Sequence, residues 1–155
     1  MQAEQEMSRR RWLGGVLMLS VLSAWAVPVP TLVEVWKDPS CGCCKDWVAV
    51  LQKAGFEVSV YETGNTAMRA QLGIAAKLGS CHTARVAGYA LEGHVPVREI
   101  QRILREKPKA VGLAVPGMPV GSPGMDGPIY KGRKDPYAVL LVQRDGSTSV
   151  FQNYA

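Results

Sequence analysis

Thr31-Leu32-Val33-Glu34-Val35-Trp36-Lys37-Asp38-Pro39-Ser40-Cys41-Gly42-Cys43-Cys44-Lys45-Asp46-Trp47 is the stretch on which the fold turns. Its first six residues read as a strand, with Leu32, Val33, Val35 and Trp36 supplying apolar faces. Asp38-Pro39-Ser40 stops that strand, and a helix starts near Cys41. Trp47, Val48 and Leu51 recur three or four apart as its buried stripe, and Gly55 ends it after Ala54. The cysteines thus lie between a strand end and a helix start, where free N–H groups and the helix dipole favour a thiolate. Cys41 and Cys44 fall about one turn apart, on the same side of the helix.

Cys43 is the unusual member. A dithiol exchange pair has no use for a third thiol beside it, whereas three clustered thiolates suit a soft metal, above all Cu(I). Two other readings stay open. One is a disulfide with unused thiols. The other is zinc held by three Cys and one further ligand, although the spacing is not that of paired zinc knuckles.

Downstream, Phe56 to Tyr61 reads as a second strand, and Thr66 caps a short helix through Leu72. Ile74 to Leu78 is another short helical piece. Thr83 to Tyr89 and Ala90 to Val95 are tightly joined strands, and Val97 to Lys107 is a helix with Ile100, Ile103 and Leu104 on one face. This is an α/β order, and it is similar to that of thioredoxin-like domains. In such domains the loop before the third strand packs on the CxxC turn. Ser80-Cys81-His82-Thr83 occupies that place, without the proline such loops usually carry. The alignment therefore sets Cys81 beside Cys41 and Cys44. His82 is a candidate ligand or proton donor, or a satisfied polar residue. His94, between Gly93 and Val95-Pro96, is a candidate ligand or a surface histidine at a strand end.

From Pro108 to Pro136 six Pro and six Gly fall in 29 residues, which predicts an irregular loop rather than helix or strand. Inside it, Pro116 to Asp126 carries Met118 and Met125. Beyond residue 26 the only other methionine is Met68. Thioether sulfur is a copper ligand that survives in an oxidising compartment. The loop reads as a stiff flap folding over the thiols, or as a loop anchored by two buried Met. A last hairpin follows: Ala138 to Gln143, a turn at Asp145-Gly146, and Ser147 to Phe151.

A chain of 155 residues fits one domain, and a 47% apolar fraction can build one core. Four Cys are too few for a disulfide scaffold. The net charge of +5 contains no run of five or six like charges, so nothing reads as a nucleic-acid arm. Ser8-Arg9-Arg10-Arg11, the apolar run Trp12 to Ala26 and the closing Ala24-Trp25-Ala26 read as a cleavable export signal over residues 1–26. The arginines also fit a twin-arginine route; an uncleaved N-terminal anchor is the alternative. Removing three Arg and two Glu with that segment leaves 129 residues near +4. The expectation is a soluble periplasmic protein, monomeric by default because no apolar helix stripe is left over. Its organisation would be 27–107 as the thioredoxin-like core and 108–155 as a C-terminal extension contributing to the metal site.

From Val35 to Phe151 the sequence resembles the CopG-type periplasmic copper-resistance proteins. Four ordered motifs carry the resemblance: Cys41-Gly42-Cys43-Cys44, Ser80 to Thr83, Glu92 to Pro96, and Gly117 to Met125. Gly132 to Tyr137 matches as well. The resemblance implies a thioredoxin fold whose extension helps hold copper. It implies periplasmic interconversion of Cu(I) and Cu(II) that lowers toxicity or prepares copper for an efflux system. It makes Cys41, Cys43, Cys44 and Cys81 copper ligands; Cys41 and Cys44, as the CxxC pair at the helix start, are also the candidate catalytic redox pair. His82, His94, Met118 and Met125 follow as further ligands. Thiolates bridge readily, so more than one copper can be held. Two rivals stand beside it: a passive Cu(I) carrier or buffer, which needs the same ligands and no turnover, and a periplasmic thiol–disulfide oxidoreductase, for which Cys41 and Cys44 suffice.

Overall fold

A computed structural model describes residues 30–155. The export-signal reading of residues 1–26 lies outside the described residues. The chain forms β1 (Leu32–Lys37), α1 (Gly42–Lys53), β2 (Glu57–Tyr61), α2 (Thr66–Gln71), β3 (His82–Val86), β4 (Tyr89–Glu92), α3 (Val97–Glu106), β5 (Gly112–Ala114), β6 (Tyr137–Val142) and β7 (Thr148–Tyr154). Short 3₁₀ turns occupy Ala76–Leu78 and Pro128–Tyr130. The seven strands make one mixed sheet in the order β2-β1-β3-β4-β5-β6-β7. β1 runs parallel to β2 and β4 parallel to β5, and the other neighbours are antiparallel.

Alternation along the strands assigns the two faces. Leu91 and Leu113 join Val33, Val35, Trp47, Leu51, Ile100 and Ile103 in the main core under α1 and α3. Ala90 and Ala114 turn the other way and pack with Ile74, Leu78 and Val142. Trp47, Val48 and Leu51 are buried as their spacing requires, and so are Ile100 and Ile103. Among the described residues no helix is long and apolar enough to cross a membrane.

The Pro108–Pro136 stretch differs from expectation. It contains β5, a fully buried strand paired on both sides. The Pro/Gly count hid a short apolar run, Val111 to Val115, that tertiary pairing recruits. Strand β5 makes the sheet continuous from the cysteine-bearing half to the C-terminal hairpin. Arg102 of α3 fastens that hairpin: it donates to the Phe151 carbonyl at 2.9 Å, and its guanidinium lies 4.0 Å over the Phe151 ring.

Helix α2 also starts differently. Asn65, not Thr66, is its N-cap, and the Asn65 side chain makes no capping bond. Its amide instead donates to the Ser80 carbonyl and to Thr83 Oγ1, both at 3.2 Å. A residue suited to capping is thereby diverted to hold the loop that carries Cys81.

Candidate metal centre

The turn before α1 is built by Asp38, whose carboxylate accepts from the backbone N–H of Ser40 at 2.8 Å and from its hydroxyl. Cys41 then occupies the N-cap position, with its N–H donating to the Asp38 carbonyl at 3.1 Å. Cys41 makes no side-chain capping bond. Cys41 and Cys44 are joined as a disulfide; Cys43 and Cys81 are free. Cys43 Sγ lies 3.6 Å from Cys41 Sγ and 3.9 Å from Cys81 Sγ. Cys44 Sγ lies 3.6 Å from the Cys81 carbonyl oxygen. All four sulfurs fall within 4.8 Å of one another, and Cys81, His82 and His94 meet the same limit as a second group sharing Cys81.

The histidines are set by what surrounds them. His94 Nδ1 is 2.8 Å from the Pro123 carbonyl, which can only accept, so Nδ1 carries the proton. The lone pair of Nε2 therefore faces Cys81 Sγ, 3.1 Å away. His82 is fully buried beneath the Trp47 ring, centroids 4.3 Å apart, with Nδ1 3.4 Å from Cys81 Sγ. Trp47 is itself anchored, its Nε1–H donating to the Val95 carbonyl at 2.9 Å. His82 Nε2 has no hydrogen-bond partner among the described residues. A buried polar atom without a partner is costly, and a site that recruits it relieves that cost.

Burial lowers the pKa of both histidines. For His82 the charge of His94 adds to the lowering; for His94 the Pro123 carbonyl and Asp126 oppose it. Both imidazoles are then neutral at pH 7, the form that binds a metal. Burial, with the neighbouring Cys43, pushes the Cys81 thiol up to about 12. Cys81 thus keeps its proton in the metal-free protein, and a bound cation must displace it. Once the Cys41–Cys44 bond is reduced, four thiol sulfurs and two neutral imidazoles make a soft donor set suited to Cu(I) and, through nitrogen, tolerant of Cu(II).

Around this set lies a clamp that sequence reasoning missed. Glu92 is fully buried. Its carboxylate accepts from Arg69 Nε at 2.7 Å, from the Ser80 N–H at 2.6 Å and from Thr83 Oγ1 at 2.6 Å. Arg69 also donates to the Ser80 carbonyl at 2.6 Å, and the Ser80 hydroxyl donates to the Gly117 carbonyl. Both backbone groups of Ser80, the residue before Cys81, are therefore fixed. Burial raises the Glu92 pKa, against the lowering effect of Thr83, Ser80 and Arg69. An acid between strand residues and a glycine is the one sequence signal, and the Glu92 to Pro96 motif contains it.

Six of the eight candidate ligands, the four cysteines and two histidines, meet in the two groups sharing Cys81. The methionine loop reaches α1 at Gly124, whose φ is +84°. A Cβ there would lie 2.8 Å from the Cys43 carbonyl and from the Trp47 amide nitrogen. Met125 is buried beside it, its sulfur accepting from the Tyr130 hydroxyl at 3.2 Å. Met118 is 53% exposed and lines an outward cleft with Pro119, Pro136 and Tyr137.

Two solved structures are similar to this chain. Both bear the description copper resistance protein CopG, in forms 2 and 1. Form 2 is 44% identical, with a TM-score of 0.75, across 82% of this chain and 100% of that one. Form 1 is 43% identical, also at 0.75, across 81% of this chain and 98% of that one. The chain belongs to the CopG family of copper resistance proteins. Residues 78–125 also match a family described as a protein of unknown function, DUF411. In this chain that segment holds Cys81, both histidines, Glu92, Met118 and Met125, but not the CxCC turn. No curated protein matches the sequence.

Proposed function

We propose that this protein binds copper in the periplasm and takes part in copper resistance by interconverting Cu(I) and Cu(II) at its cysteine cluster. The carrying observation is the convergence of four sulfurs within 4.8 Å, edged by two imidazoles. Membership of a family whose solved members are described as copper resistance proteins supports copper over zinc as the cargo. Cys41, Cys43, Cys44 and Cys81 would hold it, with His94 and His82 on the nitrogen side and Met125 on the flap. Sulfur stabilises Cu(I) and imidazole accepts either oxidation state, so a mixed site can carry both. More than one copper fits the bridging capacity of thiolates.

The same reading takes β1-α1-β2, then antiparallel β3 and β4, then α3, as a thioredoxin-like unit. The sheet order β2-β1-β3-β4 with parallel β1 and β2 supports it. Residues 1–26 would direct export, and an efflux system or a redox protein would be the partner.

Titration of anaerobically reduced protein with Cu(I) against a strong chelating competitor tests the proposal. Two or more coppers retained per chain is the expected result. Failure to compete for Cu(I) overturns it. One observation favours a second reading: the Cys41–Cys44 disulfide is also what a thiol–disulfide oxidoreductase would contain. That reading expects disulfide exchange to survive Cys43→Ser, and the copper reading expects the same change to weaken Cu(I) binding.

A further inference from the structure

The four cysteines are not equivalent. Cys41 and Cys44 are bonded to each other, while Cys43 and Cys81 stand free with their sulfurs 3.9 Å apart. Cys81 is engaged by the His94 Nε2 lone pair, and the Pro123 carbonyl holds that ring in one tautomer. Cys44 is fully buried, whereas its partner Cys41 is half-buried. Cys43, between them in sequence, keeps its sulfur 3.6 Å from Cys41. One pair thus stands oxidised while the other two cysteines stand as thiols beside it.

We infer that Cys41 and Cys44 are the electron store of the copper site: as a dithiol they reduce Cu(II), and Cys43, Cys81 and His94 retain the Cu(I) formed. The inference rests on the copper-binding reading above. In the step, two S–H bonds break and one S–S bond forms between Cys41 and Cys44. The two electrons released convert two Cu(II) to two Cu(I), and the two protons pass to solvent. Closing the pair also withdraws two thiolates from the donor set, so Cu(I) is held less tightly once it has been made. Resetting requires a reduced dithiol of the disulfide-exchange class. Its thiolate attacks Cys41, the less buried of the two, and it leaves as a disulfide while Cys41 and Cys44 regain their protons.

The test starts from fully reduced, metal-free protein under anaerobic conditions and adds Cu(II) sulfate. A Cu(I)-specific chromophoric chelator counts the product, free thiols are counted before and after, and the disulfide is mapped by peptide mass spectrometry. We expect two Cu(I) and two lost thiols per chain, with the bridge joining Cys41 to Cys44. Cys41→Ser and Cys44→Ser should each slow the reduction by at least about tenfold and leave no intramolecular disulfide. A bridge between Cys43 and Cys81, a bridge between chains, or Cu(II) bound with all thiols intact would overturn the inference. A parallel Cu(I) competition separates the two failures. Protein that holds Cu(I) but leaves Cu(II) unreduced sinks the electron store alone. Protein that does not hold Cu(I) sinks the copper reading and the inference with it.

Discussion

The two sulfur-bearing regions of this chain are built differently. The CxCC turn gathers three sulfurs within one helical turn, and local backbone geometry with the Cys41–Cys44 bond keeps them together. The Gly117–Met125 loop carries two thioethers seven residues apart, and nothing local decides where they go. Gly124 seats one end of that loop on α1 and buries Met125, while Met118 remains 53% exposed. Spacing thus makes a ligand cluster by itself only inside a regular element. In an irregular segment each residue goes where packing sends it.

Substitutions can break or sharpen that contrast. The largest effect is expected at Cys81, the residue shared by the thiol group and the histidine group. Cys81→Ser should lower Cu(I) affinity by at least ~100-fold, since even outer-shell changes cost 10- to 100-fold; competition against a chelator reads it directly. Loss of less than tenfold would mean that the local cluster suffices without the tertiary loop.

Glu92→Ala comes next. It strands the Ser80 N–H, Thr83 Oγ1 and Arg69 in a buried setting, and should cost about 3 kcal/mol in denaturant unfolding. Cu(I) affinity should fall in parallel, because the Ser80–Thr83 loop loses its anchor. Glu92→Gln, which keeps the shape and most acceptor capacity, should recover part of both.

Gly124→Ala tests the seat of the methionine loop. With φ at +84° and backbone atoms 2.8 Å from the new Cβ, it should destabilise by about 2 kcal/mol. The accompanying signature is a change in Met125 and Tyr130 resonances.

A pH effect of smaller size should come from the histidines. Burial depresses their pKa below the ordinary 6.5, so the unfolded chain takes up protons that the folded one refuses. Their contribution is complete above pH 6.5 and declines as pH falls below it, so stability should be lower at about pH 5.5 than at about pH 7.5. Denaturant titrations of metal-free protein at the two pH values measure this, and His82→Gln should remove its share of the slope.

The smallest effect is expected at Met118. Met118→Leu should change Cu(I) affinity less than about threefold, given its exposure, while Met125→Leu should change it more. Equal losses at both would mean that the loop closes further over the thiols when copper is bound.

Much of the fold was readable because its signals are periodic or chemically distinct. The stripe of Trp47, Val48 and Leu51 gives α1, and the alternation around Val33 and Val35 gives β1. The tight turn at Ala87-Gly88 joins β3 to β4. Strand β5 escaped because three residues cannot show a period, and its Pro- and Gly-rich surroundings argued for loop. The candidate site was readable in its ligand types, and the placing of Cys81 near the CxCC turn followed from element order. Asn65, Arg69 and Glu92 were not readable as its supports. Their sequence positions fit a cap, a surface cation and a strand-end acid, and only burial turns them into one hydrogen-bonded clamp.

By itself, then, the sequence determined the α/β order, the helix that opens on three cysteines, and a donor chemistry suited to a soft metal. These are short-range matters of propensity, periodicity and residue type. Tertiary structure alone decided that Cys81 meets Cys43, that the Pro123 carbonyl sets the tautomer of His94, and that one methionine turns inward while its neighbour in the loop turns out. Those outcomes depend on which backbone groups approach across long separations. They also depend on burial, which keeps the two imidazoles neutral.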